Sequence, residues 1–229
     1  MPVYRMMYAK EGPARYISHL DLLRTFERAA RRAGLPIAFT GGFNPHPKIA
    51  FAAPLAVGTA GEAEYADLEL VREVPVSSVR RDLSGTLPEG LRLVEVRKIG
   101  ERAPALMSMV GRATYRGEAR LKSMVSQGVL DRAIEAFLNR SEILVQRKKK
   151  AGENRIYDIR PGIFAMSGRL DNDIIIIEAE LKTGSHDNIR FEEVMEAFST
   201  DSELPIEGKY VLYRTGLFSA GEKDNKTLW

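Results

Sequence analysis

The sequence predicts an α+β protein built from two tandem ferredoxin-like (βαββαβ) units with antiparallel sheets. Three observations carry that expectation. Stretches of strand and helix periodicity follow one another as strand, helix, strand, strand, helix, strand. The same order then occurs a second time. Between the two runs lies a segment punctuated by Pro104 and Gly111. The expected organisation is a first unit over 1–100, a linker over 101–111, a second unit over 112–218 and a loose polar tail over 219–229.

The first strand is Val3 to Tyr8, rich in Val, Tyr and Met. The best-marked helix follows. Ser18 suits its N-cap, and Asp21 stands where a capping box places a side chain that reaches back to the cap's own amide. Leu22, Phe26, Ala29, Ala30 and Ala33 recur at helical spacing, and Gly34 supplies the stop. Arg24, Arg28, Arg31 and Arg32 fall largely on the other side.

Thr40 to Lys48 is a stiff loop. Pro45 and Pro47 fix their own φ and push Asn44 and His46 toward extended backbone. Lys48 to Ala53 is a second strand. Residues 63 to 71 alternate as a third, with Glu64, Asp67 and Glu69 expected toward water. A short helix over 75–87 and an alternating strand over 91–99 complete the first run.

In the second run, 114–122 is a strand and 127–139 a helix with Val129, Leu130, Ala133, Ile134, Phe137 and Leu138 on one face. Residues 142–146 form a strand ending in the basic run Arg147 to Lys150, and 155–161 continues or pairs with it. Asp173 to Leu181 carries four consecutive isoleucines and predicts a strand buried on both faces. A helix over 191–198 and a strand over 209–214 close the order.

Composition excludes several chemistries. The 229 residues are 44% hydrophobic and 28% charged, as in a soluble globular protein. No cysteine is present, so disulfides, thiolate metal sites and cysteine-ligated iron–sulfur clusters are ruled out. A net charge of +3 permits an anionic partner without demanding one. With no signal-like start and no long apolar run, the expected location is the cytosol, with no membrane partner.

The stretch Arg15 to Gly34, the loop Gly-Phe-Asn-Pro-His-Pro-Lys and its continuation through Ile49 to Gly58 resemble the DUF2344 domain, a bacterial family of radical-SAM-associated proteins of uncharacterised function. The specific part of the resemblance covers about residues 15 to 70. In that family the domain stands either behind a radical SAM enzyme or as a separate small protein. The resemblance therefore implies the stand-alone form, with a radical SAM protein as partner. It supplies no catalytic residues.

Among the three histidines, His19 opens the capped helix, where a neutral imidazole could act as a base or a hydrogen-bond donor. His19, Asp21 and His46 follow no recognised ligand spacing, so no metal is assigned and no cofactor is expected. The candidate binding residues are His19, Arg24, Arg28, Arg31, Phe43, Asn44, His46, Lys48, Lys148 and Lys149. Together they would offer cations for a phosphate backbone and an aromatic for base stacking, while a solvated helix face remains the plainer explanation of the arginines. The RNP signature, a nucleophile elbow and a Walker A loop are all missing.

Two functions follow as expectations. One is a binding module without catalysis of its own that works beside a radical SAM partner and binds or presents RNA. The other is a metal-independent endoribonuclease with His19 as its acid or base.

Overall fold

The computed structural model describes residues 1–100, 103–148, 154–184, 188–220 and 227–229. It is a mixed α+β chain with antiparallel strand pairings, divided into two compact units. One unit comprises Met1–Gly111 with Arg214–Trp229, and the other Arg112–Tyr213.

The first unit contains β1 (Val3–Lys10), α1 (His19–Arg32), β2 (Ile49–Phe51), β3 (Ala60–Glu69), α2 (Val76–Ser84), β4 (Leu91–Ile99) and the single turn α3 (Leu106–Met109). β1 pairs with both β3 and β4, and β2 pairs with β3, all antiparallel, which gives the order β4-β1-β3-β2. Period-two alternation sends Tyr4, Met6 and Tyr8 of β1 to the same face as Ala66 and Leu68 of β3. There they meet Leu22, Phe26, Ala29, Val79 and Leu83 from the helices in one apolar core. Arg5, Met7, Tyr65 and Asp67 take the opposite face by the same alternation.

The anticipated helix signals act as read, with one difference. The Ser18 hydroxyl oxygen accepts from the Asp21 amide at 3.2 Å, as an N-cap should. Asp21, one methylene shorter than the usual Glu, accepts from the Ser18 hydroxyl at 2.7 Å instead of reaching the cap's amide. At the other end, Gly34 adopts φ +66°, and the amides of Gly34 and Leu35 bond to the carbonyls of Arg31 and Ala30. These two bonds form a Schellman stop.

Three expectations need correction in this unit. Glu64 does not face water: it is 2% exposed, on the same face as Leu68, because it is paired with the guanidinium of Arg214. The segment expected to be a linker holds α3, whose Leu106 is buried. The end of the chain is not loose at residues 227–229, because Leu228 is fully buried and Thr227 bridges to Phe218. Residues 221–226 lie outside the described part.

The second unit contains β5 (Val110–Leu121), α4 (Gln127–Leu138), β6 (Leu144–Lys148), β7 (Asn154–Asp158), β8 (Ile163–Asp171), β9 (Ile174–Lys182), α5 (Phe191–Ser202) and most of β10 (Ile206–Ser219). Its strand order is β10-β5-β9-β8, with β6 and β7 forming a separate two-stranded sheet. Leu130, Ile134 and Phe137 of α4 and Phe191, Val194 and Phe198 of α5 are buried. Tyr115 of β5 stacks on Phe191 with ring centroids 5.0 Å apart.

The strand expected over 142–146 forms and the following segment pairs with it, but a further, unforeseen strand stands beside β9. The segment around 142–146 becomes β6, which pairs with β7, and the position beside β9 belongs to β8. Gly168 breaks the apolar alternation of β8 and hides it. The space a Cβ would take there is occupied by the end of the Ile134 side chain, 2.8 Å away.

Candidate functional site in the first unit

The loop after α1 is closed by its own backbone. The Thr40 amide donates to the His46 carbonyl at 2.9 Å, and the His46 amide donates back to the Thr40 hydroxyl oxygen at 2.9 Å. Below this closure Phe39 bridges to Pro47, and the Lys48 amide bonds to the Ala38 carbonyl. Gly42 takes φ +102°, a left-handed turn that a side chain would resist. At the tip the Phe43 side chain is as exposed as in an open chain, and Asn44 and His46 are exposed beside it.

Beneath the loop lies a cavity of about 600 Å³, lined by His19, Leu23, Thr40, Lys48, Phe51 and Asp67 among others. His19 comes from the first turn of α1, and its ring stands edge-on to Phe51 at 5.3 Å. Lys48 is half-buried and pairs with Glu69 at 2.9 Å. Asp67 is fixed by two hydrogen bonds of 2.8 Å from the Arg5 guanidinium. Its walls are mainly apolar, and the charges at its edge are paired. His46 is not among the lining residues, so the structure joins His19 to Lys48 and Thr40 but leaves His46 on the loop above.

Buried groups brace this region. The Lys10 ammonium donates at 3.0 Å to the carbonyl of Ile17, next to the cap of α1. Burial holds its pKa below the ordinary lysine value. The Asp21 carboxyl also titrates below its usual range, chiefly because the Ser18 hydroxyl donates to it and secondarily because of Arg24 and Arg28.

The arginine stripe is partly occupied. Arg24 pairs with Asp21 at 3.2 Å, and Arg31 pairs with Glu27 at 2.9 Å while lying 5.4 Å over the Phe39 ring. Arg28 is exposed and has no ion pair among the described residues. In the second unit, Arg147 is bound to Glu193 by hydrogen bonds of 2.8 and 2.6 Å, so the first member of the basic run has a structural partner. The Lys148 side chain, Lys149 and His186 lie outside the described residues. Among the described residues no cluster of three His, Asp or Glu side chains could hold a metal ion.

The sequence does not single out Arg5, and it marks Thr40 only as the start of the loop. Asp67 and Glu69, expected toward water, are instead half-buried and paired with Arg5 and Lys48. One signal was available: Arg5 interrupts a strand whose neighbours Tyr4 and Met6 are apolar, which marks the opposite sheet face as needing a charged partner.

Fold and site together describe a small α+β protein with a rigid aromatic loop above a mainly apolar cavity. The chain belongs to the DUF2344 family, described as an uncharacterized protein conserved in bacteria, whose model matches residues 3–191. No curated protein matches the sequence. Among solved structures it is similar to a chain of a Cbf5-Nop10-Gar1 complex, with TM-score 0.52 and 10% identity over 96% of this chain and 50% of that one. A chain of the archaeal box H/ACA sRNP Nop10-Cbf5 complex gives TM-score 0.49 and 11% identity over 99% of this chain and 51% of the other. The present chain thus spans about half the length of these solved chains. At such identity the first likeness concerns the fold alone. No helix among the described residues is long and apolar enough to cross a membrane.

Proposed function

We propose that this protein is a cytosolic binding module, without catalysis of its own, that holds single-stranded or looped RNA for a radical SAM partner. The observation that carries the reading is Phe43, fully exposed at the tip of a loop held shut by two hydrogen bonds. An aromatic ring on a pre-ordered loop stacks on a base with little entropy to lose. The arginines of α1 would supply phosphate contacts, because exposed ion pairs such as Arg24–Asp21 are worth little and exchange readily for phosphate. The radical SAM partner rests on the resemblance of the signature stretch.

The architectural part of the proposal is that each unit is ferredoxin-like. The orders β4-β1-β3-β2 and β10-β5-β9-β8 support it, with the β6–β7 hairpin as an insertion in the second.

The test is anisotropy of a fluorescein-labelled single-stranded RNA titrated with the full chain at several salt concentrations. Affinity should be micromolar, an order of magnitude taken from non-specific binding, and should weaken steeply with salt. Arg24→Ala/Arg28→Ala/Arg31→Ala should lower the salt slope by about one for each phosphate that an arginine no longer neutralises. Phe43→Ala should weaken binding several-fold at every salt concentration. A flat salt response together with an unaffected Phe43→Ala variant would leave the loop without this role.

A further inference from the structure

The β6–β7 sheet has only two strands, and one of its edges opens into a groove. That groove, about 490 Å³, runs between β6 and the face of α5 from Glu193 to Asp201. Ile143, Leu144, Val145 and Gln146 all line it. A strand face would contribute alternate residues; consecutive residues mean that the groove meets the strand's edge.

The hydrogen-bond phase shows what that edge offers. The Ile159 amide donates to the Ile143 carbonyl. In an antiparallel pair, residues bonded to the partner strand alternate with residues whose polar groups point outward. Val145 and Arg147, opposite Tyr157 and Arg155, therefore turn their backbone toward β7. The amide and carbonyl groups of Leu144 and Gln146 point away from it. Leu144 is 53% exposed, so an apolar side chain accompanies the unfilled edge.

The charges around the groove select the occupant. Glu142, Glu193, Glu196 and Asp201 line it against one guanidinium, that of Arg140, which is already paired with Asp201. Glu193 is held by Arg147. Glu142 and Glu196 are exposed and have no ion pair among the described residues. These lining carboxylates disfavour a nucleic-acid backbone inside the groove. A second copy of the chain would bring the same carboxylates edge to edge, which disfavours self-pairing.

We propose that the edge of β6 binds an extended peptide segment of a partner protein, added as a third strand, with a Lys or Arg side chain placed between Glu142 and Glu196. Main-chain bonds to Leu144 and Gln146 supply the pairing, and the carboxylates supply the selectivity. This site is independent of the RNA-binding loop in the first unit.

A random heptapeptide library displayed on phage and selected against the full chain tests it. Enriched sequences should alternate apolar residues with others and carry Lys or Arg. A labelled synthetic peptide of the consensus should then bind in an anisotropy titration. Gln146→Pro removes one outward amide and spares the bonds to β7, so it should weaken binding about tenfold or more. Glu196→Lys should weaken it about fivefold or more through charge alone. If Gln146→Pro fails to fold, N-methylation of the peptide backbone interrogates the same bonds. The proposal is overturned if no sequence is enriched, or if binding ignores both Glu196→Lys and N-methylation. It is equally overturned if the chain sediments as a dimer that Glu196→Lys alters, or if labelled RNA occupies the groove.

Discussion

Glu64 and Arg214, 150 residues apart in sequence, form an ion pair with both side chains 2% exposed. The Arg214 Nε donates to one carboxylate oxygen at 2.7 Å and a terminal nitrogen to the other. The same guanidinium donates to the carbonyls of Ala53 and Pro54 at 3.0 and 3.1 Å. The pair ties residues 214–219, the part of β10 that belongs to the first unit, to β3. Replacing one partner strands the other charge in the core, which costs about 3–5 kcal/mol. Arg214→Met should therefore lower the urea midpoint sharply at unchanged slope. Adding Glu64→Leu should recover more than half of the loss, because no unpaired carboxylate then remains. A single-variant loss below about 1 kcal/mol would show that water reaches the pair.

The end of the chain makes a second lock. Leu228 is fully buried, its carbonyl accepts from Arg5 at 2.5 Å, and Trp229 lies edge-on to Tyr65 at 5.4 Å and 4.2 Å from the Arg97 guanidinium. Deleting Leu228 and Trp229 exposes a leucine-sized apolar site and removes a bond from a buried guanidinium. We expect a loss of about 2 kcal/mol or more by chemical denaturation. Trp229→Ala alone should lose less, since the packing of Leu228 survives it. An unchanged midpoint in the deletion variant would mean that Arg5 is satisfied by Asp67 alone.

Local signals were the legible part of this fold. Ser18, Asp21 and Gly34 announce α1 because caps are written in a few adjacent residues. The alternation over 91–99 likewise gives β4. Partners distant in sequence were not legible. Glu64 looks like an exposed strand residue until Arg214 is known to lie against it. β8 disappears from the pattern because Gly168 yields its side-chain volume to Ile134 and Leu130. At the candidate site, proline stiffness made the 40–48 loop visible. The cavity below it depends on Arg5, Asp67 and Glu69, which only the pairing of β1, β2 and β3 brings near Lys48.

Acid should weaken the start of α1 through Asp21. Its carboxyl titrates below the ordinary value of 3.8, so the folded state favours the ionised form. The contribution is complete above that value and fades as pH falls through the lowered one. Unfolding midpoints of the natural chain and of Asp21→Asn should differ by a constant amount at neutral and mildly acidic pH. The difference should close in stronger acid, where both carry an uncharged side chain. A difference that persists there would assign the effect to the cap geometry and not to the charge.

The final prediction separates pre-ordering of the loop from contact with RNA. Thr40 holds the loop shut by accepting the His46 amide on its hydroxyl oxygen, six residues along the chain. Thr40→Val keeps the size and shape of the side chain and removes that acceptor. The loop is exposed, so the freed amide can bond to water and stability should change by less than about 1 kcal/mol. The Phe43 tip would then sample more conformations, and binding must order it again. On the RNA-binding reading, affinity should fall several-fold, with hydrogen exchange at the His46 amide accelerated in the same variant. Faster exchange with unchanged affinity would show that the order of the loop does not serve binding. Unchanged exchange would show that the Thr40 backbone bond closes the loop without help from the side chain.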